Sequence, residues 1–183
     1  MSGLPEVTRS YFEILVVREL RKAGFEVTDP RVHRRTELPE PERGFLLELR
    51  AWLTRGEWRQ RALIACRRQE GAIGREAVEQ LAGRLAGAEA GVGLLFTPAE
   101  LAPDALAAGE ELGVALLRLV DARTAYDTGG WGTPGHYPSW LPAYLVQLVD
   151  RGGTRLLEAG GAAHIVNCLR PPAEAPRTEA PRE

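Results

Sequence analysis

The chain has 183 residues, a formal net charge of −2 and 44% hydrophobic residues, enough for one domain with a real core. That balance excludes a globally basic nucleic-acid binder. No run approaches the ~20 apolar residues of a membrane span, and the first residues lack an apolar signal core, so the expectation is a soluble, cytoplasmic protein with no membrane partner. Cys66 and Cys168 stand far apart in apolar runs, which fits neither a disulfide framework nor a metal-ligand spacing and predicts free thiols. The basic residues are 22 Arg and a single Lys, Lys22. Many of the arginines, from Arg31 to Arg75, crowd into the first half, where Glu37, Glu40, Glu42 and Glu57 offset them.

Ser10 is placed to cap a helix running to about Ala23. Phe12, Leu15, Val16, Glu19 and Leu20 form one face, and Gly24 supplies a left-handed stop. Glu13 falls near the start of that helix, where a carboxylate favours the positive end of the dipole. Phe25-Glu26-Val27 reads as a short strand. Thr28 to Glu42 holds three prolines and many charges and reads as an exposed connection.

Two strands follow, Gly44–Leu53 and Trp58–Arg67, joined by Thr54-Arg55-Gly56-Glu57. Alternation puts Leu47, Leu49, Ala51 and Leu53 on one face and Leu46, Glu48, Arg50 and Trp52 on the other. In the second strand Ala62, Ile64 and Cys66 share a face, opposite to Leu63, Ala65 and Arg67. A hairpin sets the polar-bearing faces side by side, so Glu48 and Arg67 can meet as a cross-strand ion pair.

A helix over Gly74–Gly87 carries Ala77, Val78, Leu81, Ala82 and Leu85 at helical spacing. Gly91–Thr97 is a buried strand, Pro98–Leu112 a helix, and Val114–Val120 a strand apolar on both faces. Connections of this length imply a right-handed parallel crossover. Asp127 to Pro142 is Gly-, Pro- and aromatic-rich and reads as a loop, either packed over the core or presenting Trp131 and Trp140 to a flat ligand or a protein. His136, like His33 and His164, has no partner at a catalytic or metal-binding spacing. Leu141–Val149 reads as a short helix. The segments TRLLE and AHIVNCLR read as a terminal β-hairpin, and 171–183 as a disordered tail.

Residues 11–120, through YFEILVVRELRKAGFEV, LIACRRQ, GREAVEQLAGRL, GVGLLFT and PDALAAGEELGVALLRL, resemble in order and spacing the nuclease domain of Mrr-like restriction endonucleases, a branch of the PD-(D/E)xK fold. The resemblance implies an α/β three-layer sandwich with a mixed central sheet over 1–126. A loop and β-hairpin extension over 127–170 would pack on it. It also implies Mg²⁺-dependent phosphodiester hydrolysis, with a carboxylate on the first hairpin strand and a Gln/Glu-x-Lys on the second. Glu13 matches the family's helix Glu and Gln80 its helix Gln. The Asp position falls at Leu46 or Glu48, so Glu48 is the one candidate metal ligand. Ala65 stands at the Gln/Glu position and Arg67 at the Lys position. Arginine keeps the charge and can hold a phosphate bidentately, but stays protonated. The expected reading is therefore a degenerate nuclease that binds DNA or another phosphate-bearing partner through Arg50, Arg67 and Arg68. Two alternatives stand beside it. One is a divergent enzyme using Glu13 and Glu48 with Mg²⁺; the other is a non-catalytic module meeting a protein through 127–142. A homodimer is compatible with each.

Overall fold

The computed structural model describes residues 9–169; the expected tail, 171–183, lies outside the described residues. Helix α1 (Arg9–Ala23) already includes Ser10, and buries Phe12, Leu15, Val16, Glu19 and Leu20 as the apolar spacing predicts. Strands β1 (Glu26–Leu38), β2 (Gly44–Arg55) and β3 (Trp58–Gln69) pair antiparallel in sequence order. Helix α2 (Arg75–Arg84) then leads to β4 (Val92–Thr97), and α3 (Pro103–Leu112) to β5 (Val114–Asp121). Strands β3, β4 and β5 run parallel, the crossover geometry the sequence implies. A capped helix α4 (Ala122–Gly129) precedes β6 (Tyr144–Asp150) and β7 (Gly153–Leu156), and α5 (Ala162–Cys168) ends the described chain.

All seven strands form one mixed sheet in the order β1 to β7. Its two faces carry separate cores, because successive side chains point to opposite sides. On one face α1 and α5 cover Leu47, Leu49, Ile64, Cys66, Phe96 and Leu117. On the other, α2 and α3 cover Leu63, Ala65, Leu95, Val114 and Leu116. The result is a three-layer α/β sandwich with a mixed central sheet.

Several expectations need correction. The stretch after Val27 is not a connection but most of a 13-residue edge strand. Its register shifts between Thr28 and Arg31 and again between Val32 and Arg34, and Asp29 in the first irregularity takes a positive φ of 52°. Such a bulge is where an edge strand tolerates a proline, here Pro30. Residues 144–149, read as helix, form β6, which pairs with β5 and buries Tyr144, Val146 and Leu148 in alternation. The segment AHIVNCLR, read as strand over 163–170, instead falls largely in α5, which buries Ala162 and Ile165 one turn apart. The C-terminal extension does contain a β-hairpin: residues 154–156 of the expected TRLLE segment fall in its second strand, β7, but the partner strand is β6 and not AHIVNCLR. The loop expected from Asp127 begins later, since α4 runs to Gly129.

Candidate phosphate-binding cavity

The polar positions of the hairpin come together as the alternation requires. Across β2 and β3, Glu48 stands opposite Ala65 and Leu46 opposite Arg67, and opposed residues share a face. That face looks toward α2. Between it, the outer part of β1 and α2 lies a cavity of about 640 Å³, lined by Arg34, Glu42, Leu46, Glu48, Ala65, Arg67, Gln69, Glu76, Gln80 and Arg84 among others.

Glu48 is 1% exposed, and a carboxylate in that position needs a counter-charge. The partner is not Arg67. It is Arg84, in the last turn of α2, whose Nε donates to Glu48 Oε1 at 2.5 Å and whose Nη2 donates to Oε2 at 2.6 Å. This bidentate fork is the strong geometry for an arginine and a carboxylate, and it raises the Arg84 guanidinium above its usual pKa. Arg84 reaches the cavity because Ala77, Gln80, Leu81 and Arg84 recur on one side of α2 at helical spacing, all four lining the same space. The sequence offered a signal for it. A buried glutamate on the sheet face demands a cation, and Arg84 is the basic residue on α2's inward stripe.

Arg67, 9% exposed, donates from Nε to Gln69 Oε1 at 2.6 Å. Its Nη groups have no hydrogen-bond partner among the described residues. Burial pulls its pKa below the usual arginine value, while Glu42 and Glu76 act in the opposite sense. A guanidinium short of solvation gains from an incoming anion. Gln69 in turn donates to the Ala72 carbonyl at 3.0 Å, which fixes the side chain that orients Arg67.

The remaining candidates divide. Gln80 lines the cavity but is exposed, and donates to Glu76 at 3.3 Å. Arg50 shares the face of Glu48 but reaches the connection between α2 and β4 and does not line the cavity. It donates to the Ala88 carbonyl at 3.4 Å and lines a smaller cleft with Arg31, Trp52 and Arg61. There Arg59 stacks 4.0 Å from the Trp52 ring centre. Arg68, paired with Phe45, faces the other side of the sheet, where its charge acts on Tyr144. The three arginines expected to touch a nucleic acid therefore do not share one surface. Glu13 is half-buried on α1, the helix that packs on the opposite face, and its charge is felt by Cys66 there. It is not among the residues lining the cavity.

A Mg²⁺ site of the kind the resemblance implies does not fit these side chains. The ion prefers an octahedron of oxygen donors. Leu46 and Ala65 supply none, and both Glu48 oxygens are engaged by Arg84. Among the described residues no group of three His, Cys, Asp or Glu could hold a metal. Both cysteines are free, and burial pushes the thiols of Cys66 and Cys168 up, away from reactivity. No described helix is long and apolar enough to cross a membrane.

No curated protein and no solved structure matches the chain. A family model does: Mrr_cat, restriction endonuclease, matches residues 4–124, from the start of α1 through β5 into α4. That match covers the helices and strands that build the cavity, and the mixed sheet agrees with it. The chain belongs to the Mrr-like restriction endonuclease family.

Proposed function

We propose that this restriction-endonuclease-fold protein binds DNA, or another phosphate-bearing partner, through the α2-side cavity without hydrolysing it. One observation carries the reading. The carboxylate that would bind metal is neutralised by Arg84, while Arg67 keeps unpartnered donors in the same cavity. An arginine fork suits a phosphate oxygen pair, and its charge is permanent. Glu42, Glu48 and Glu76 offset Arg34, Arg67 and Arg84 around the cavity. Binding is therefore of the modest, salt-sensitive kind, resting on few phosphate contacts.

The test has two parts on the same protein. Supercoiled plasmid incubated with Mg²⁺ or Mn²⁺ stays uncut, and DNA affinity falls as salt rises, with a shallower salt slope in Arg67→Ala. Metal-dependent nicking that Glu48→Ala abolishes would establish the divergent-enzyme alternative in its place. A second reading, a protein contact through residues 127–142, is supported by Trp140, 71% exposed. The salt series separates the two, since a protein module shows no DNA binding at any salt concentration.

A further inference from the structure

Glu48 is the one carboxylate buried in the cavity, and a charge held there needs a cation facing it. Its neighbours on the sheet are Ala65 across on β3, Arg34 across on β1, and Leu47 and Leu49 along the chain. Only Arg34 carries a charge, and among the described residues it is Arg84, not Arg34, that hydrogen-bonds the carboxylate. Arg84 answers the need completely, with one donor for each oxygen. Any metal ion approaching Glu48 must displace a guanidinium that is already bidentate.

We propose that Arg84 is a built-in replacement for a divalent cation. It sits on the carboxylate that a metal would use, blocks that carboxylate to metal, and supplies the fixed positive charge itself. Its Nη1 group has no partner among the described residues, so it can donate toward an anion in the cavity beside the free Nη groups of Arg67. The site is thereby a metal-independent receptor for a phosphate oxygen. The anion half of this statement rests on the function proposed above; the displacement of metal does not.

The deciding experiment measures Mn²⁺ binding through the shift it causes in thermal unfolding. It compares the wild type, Arg84→Gln, and Arg84→Gln combined with Glu48→Gln. The wild type shows no Mn²⁺-dependent shift, because Glu48 is occupied. Arg84→Gln keeps one hydrogen bond to Glu48 but loses the charge, so it melts lower in chelator and regains part of the loss as Mn²⁺ is added. The double variant does not respond to Mn²⁺. Arg84→Lys retains a charge without the fork and gives a smaller shift of the same sign, which keeps the test informative if Arg84→Gln does not fold. A wild-type shift that Glu48→Gln removes would overturn the proposal, since metal and Arg84 would then coexist on Glu48. So would the absence of any Mn²⁺ response in both folded Arg84 variants. Neither result depends on whether DNA is bound. Inorganic phosphate added with and without chelator then addresses the anion half: protection equal in both conditions, and lost in Arg84→Lys, is expected, whereas protection that needs the metal refutes it.

Discussion

Removing Arg84 strands a carboxylate that is 1% exposed, whereas removing the charge of Glu48 merely frees an arginine whose side chain is 34% exposed and can turn to water. The two halves of the pair therefore contribute unequally to stability. Arg84→Ala is expected to cost about 3 kcal/mol, toward the low end for a broken buried pair because the cation itself is partly solvated. Glu48→Gln, which keeps an acceptor for one Arg84 donor, should cost about 1 kcal/mol. Urea unfolding of both variants checks this, and equal losses would mean that Glu48 is not held as a buried charge. The same asymmetry explains what the sequence could tell about the site. Strand alternation was sufficient to put Glu48, Ala65 and Arg67 on one face, because period 2 needs no knowledge of the rest of the fold. It could not choose between Arg67 and Arg84 as the partner of Glu48. That choice depends on how α2 lies over the sheet, and Arg84 is 36 residues away in the chain.

At the scale of elements, legibility followed how far each element carries its own pattern. β2, β3 and β4 are framed by apolar runs and turns and fall where expected. β1 hides because it is an edge strand whose side chains are mostly exposed, leaving little alternation to read. In residues 141–149 the run Leu141, Tyr144, Leu145, Val146, Leu148, Val149 satisfies both periods, and pairing with the open edge of β5 decides for strand. The end of α4 and the loop after it are organised by Asp127. It accepts the Tyr137 hydroxyl at 2.7 Å and the Gly135 amide at 3.2 Å, while Tyr126 packs edge-on against Trp131 and Tyr137. The hydrogen bond to Asp127, then burial, raises the Tyr137 phenol above its ordinary pKa. A raised folded-state pKa contributes stability in full below the unfolded value of about 10, and loses it as pH climbs through the folded value. Melting temperatures taken from about pH 8 to about pH 11 should fall on the alkaline side, and fall less in Tyr137→Phe. The residual slope belongs to Tyr144 and to the thiols of Cys66 and Cys168, each raised by its own burial. An identical alkaline limb in Tyr137→Phe would show that the Asp127 contact does not hold the loop.

For the whole molecule, the question is whether the part that matches the family is a folding unit. The match ends at residue 124, but the sheet does not. β6 hydrogen-bonds along β5 from Leu116 to Asp121, and Tyr144, Val146, Leu148, Ala162 and Ile165 belong to the same core as α1 and β2. Cutting the chain after Tyr126 therefore does two things at once. It turns β5, apolar on both faces, into an unprotected edge, and it uncovers the α1-side core where β6 and α5 rest. Fully burying each such apolar side chain is worth roughly 1.5–3 kcal/mol, so losing several outweighs the marginal stability of an ordinary domain, about 5–15 kcal/mol. A chain of residues 1–126 is expected to be aggregated or unfolded, with no cooperative thermal transition, while the full chain melts cooperatively and is monodisperse. Circular dichroism and size-exclusion chromatography decide it. A cooperative, monomeric 1–126 would show that the extension is an addition to a finished domain. Failure would show that this protein closes the nuclease-fold core with strands and a helix outside the matched segment. The cavity would then depend on them as well, through the sheet that holds Glu48 and Arg67 in register.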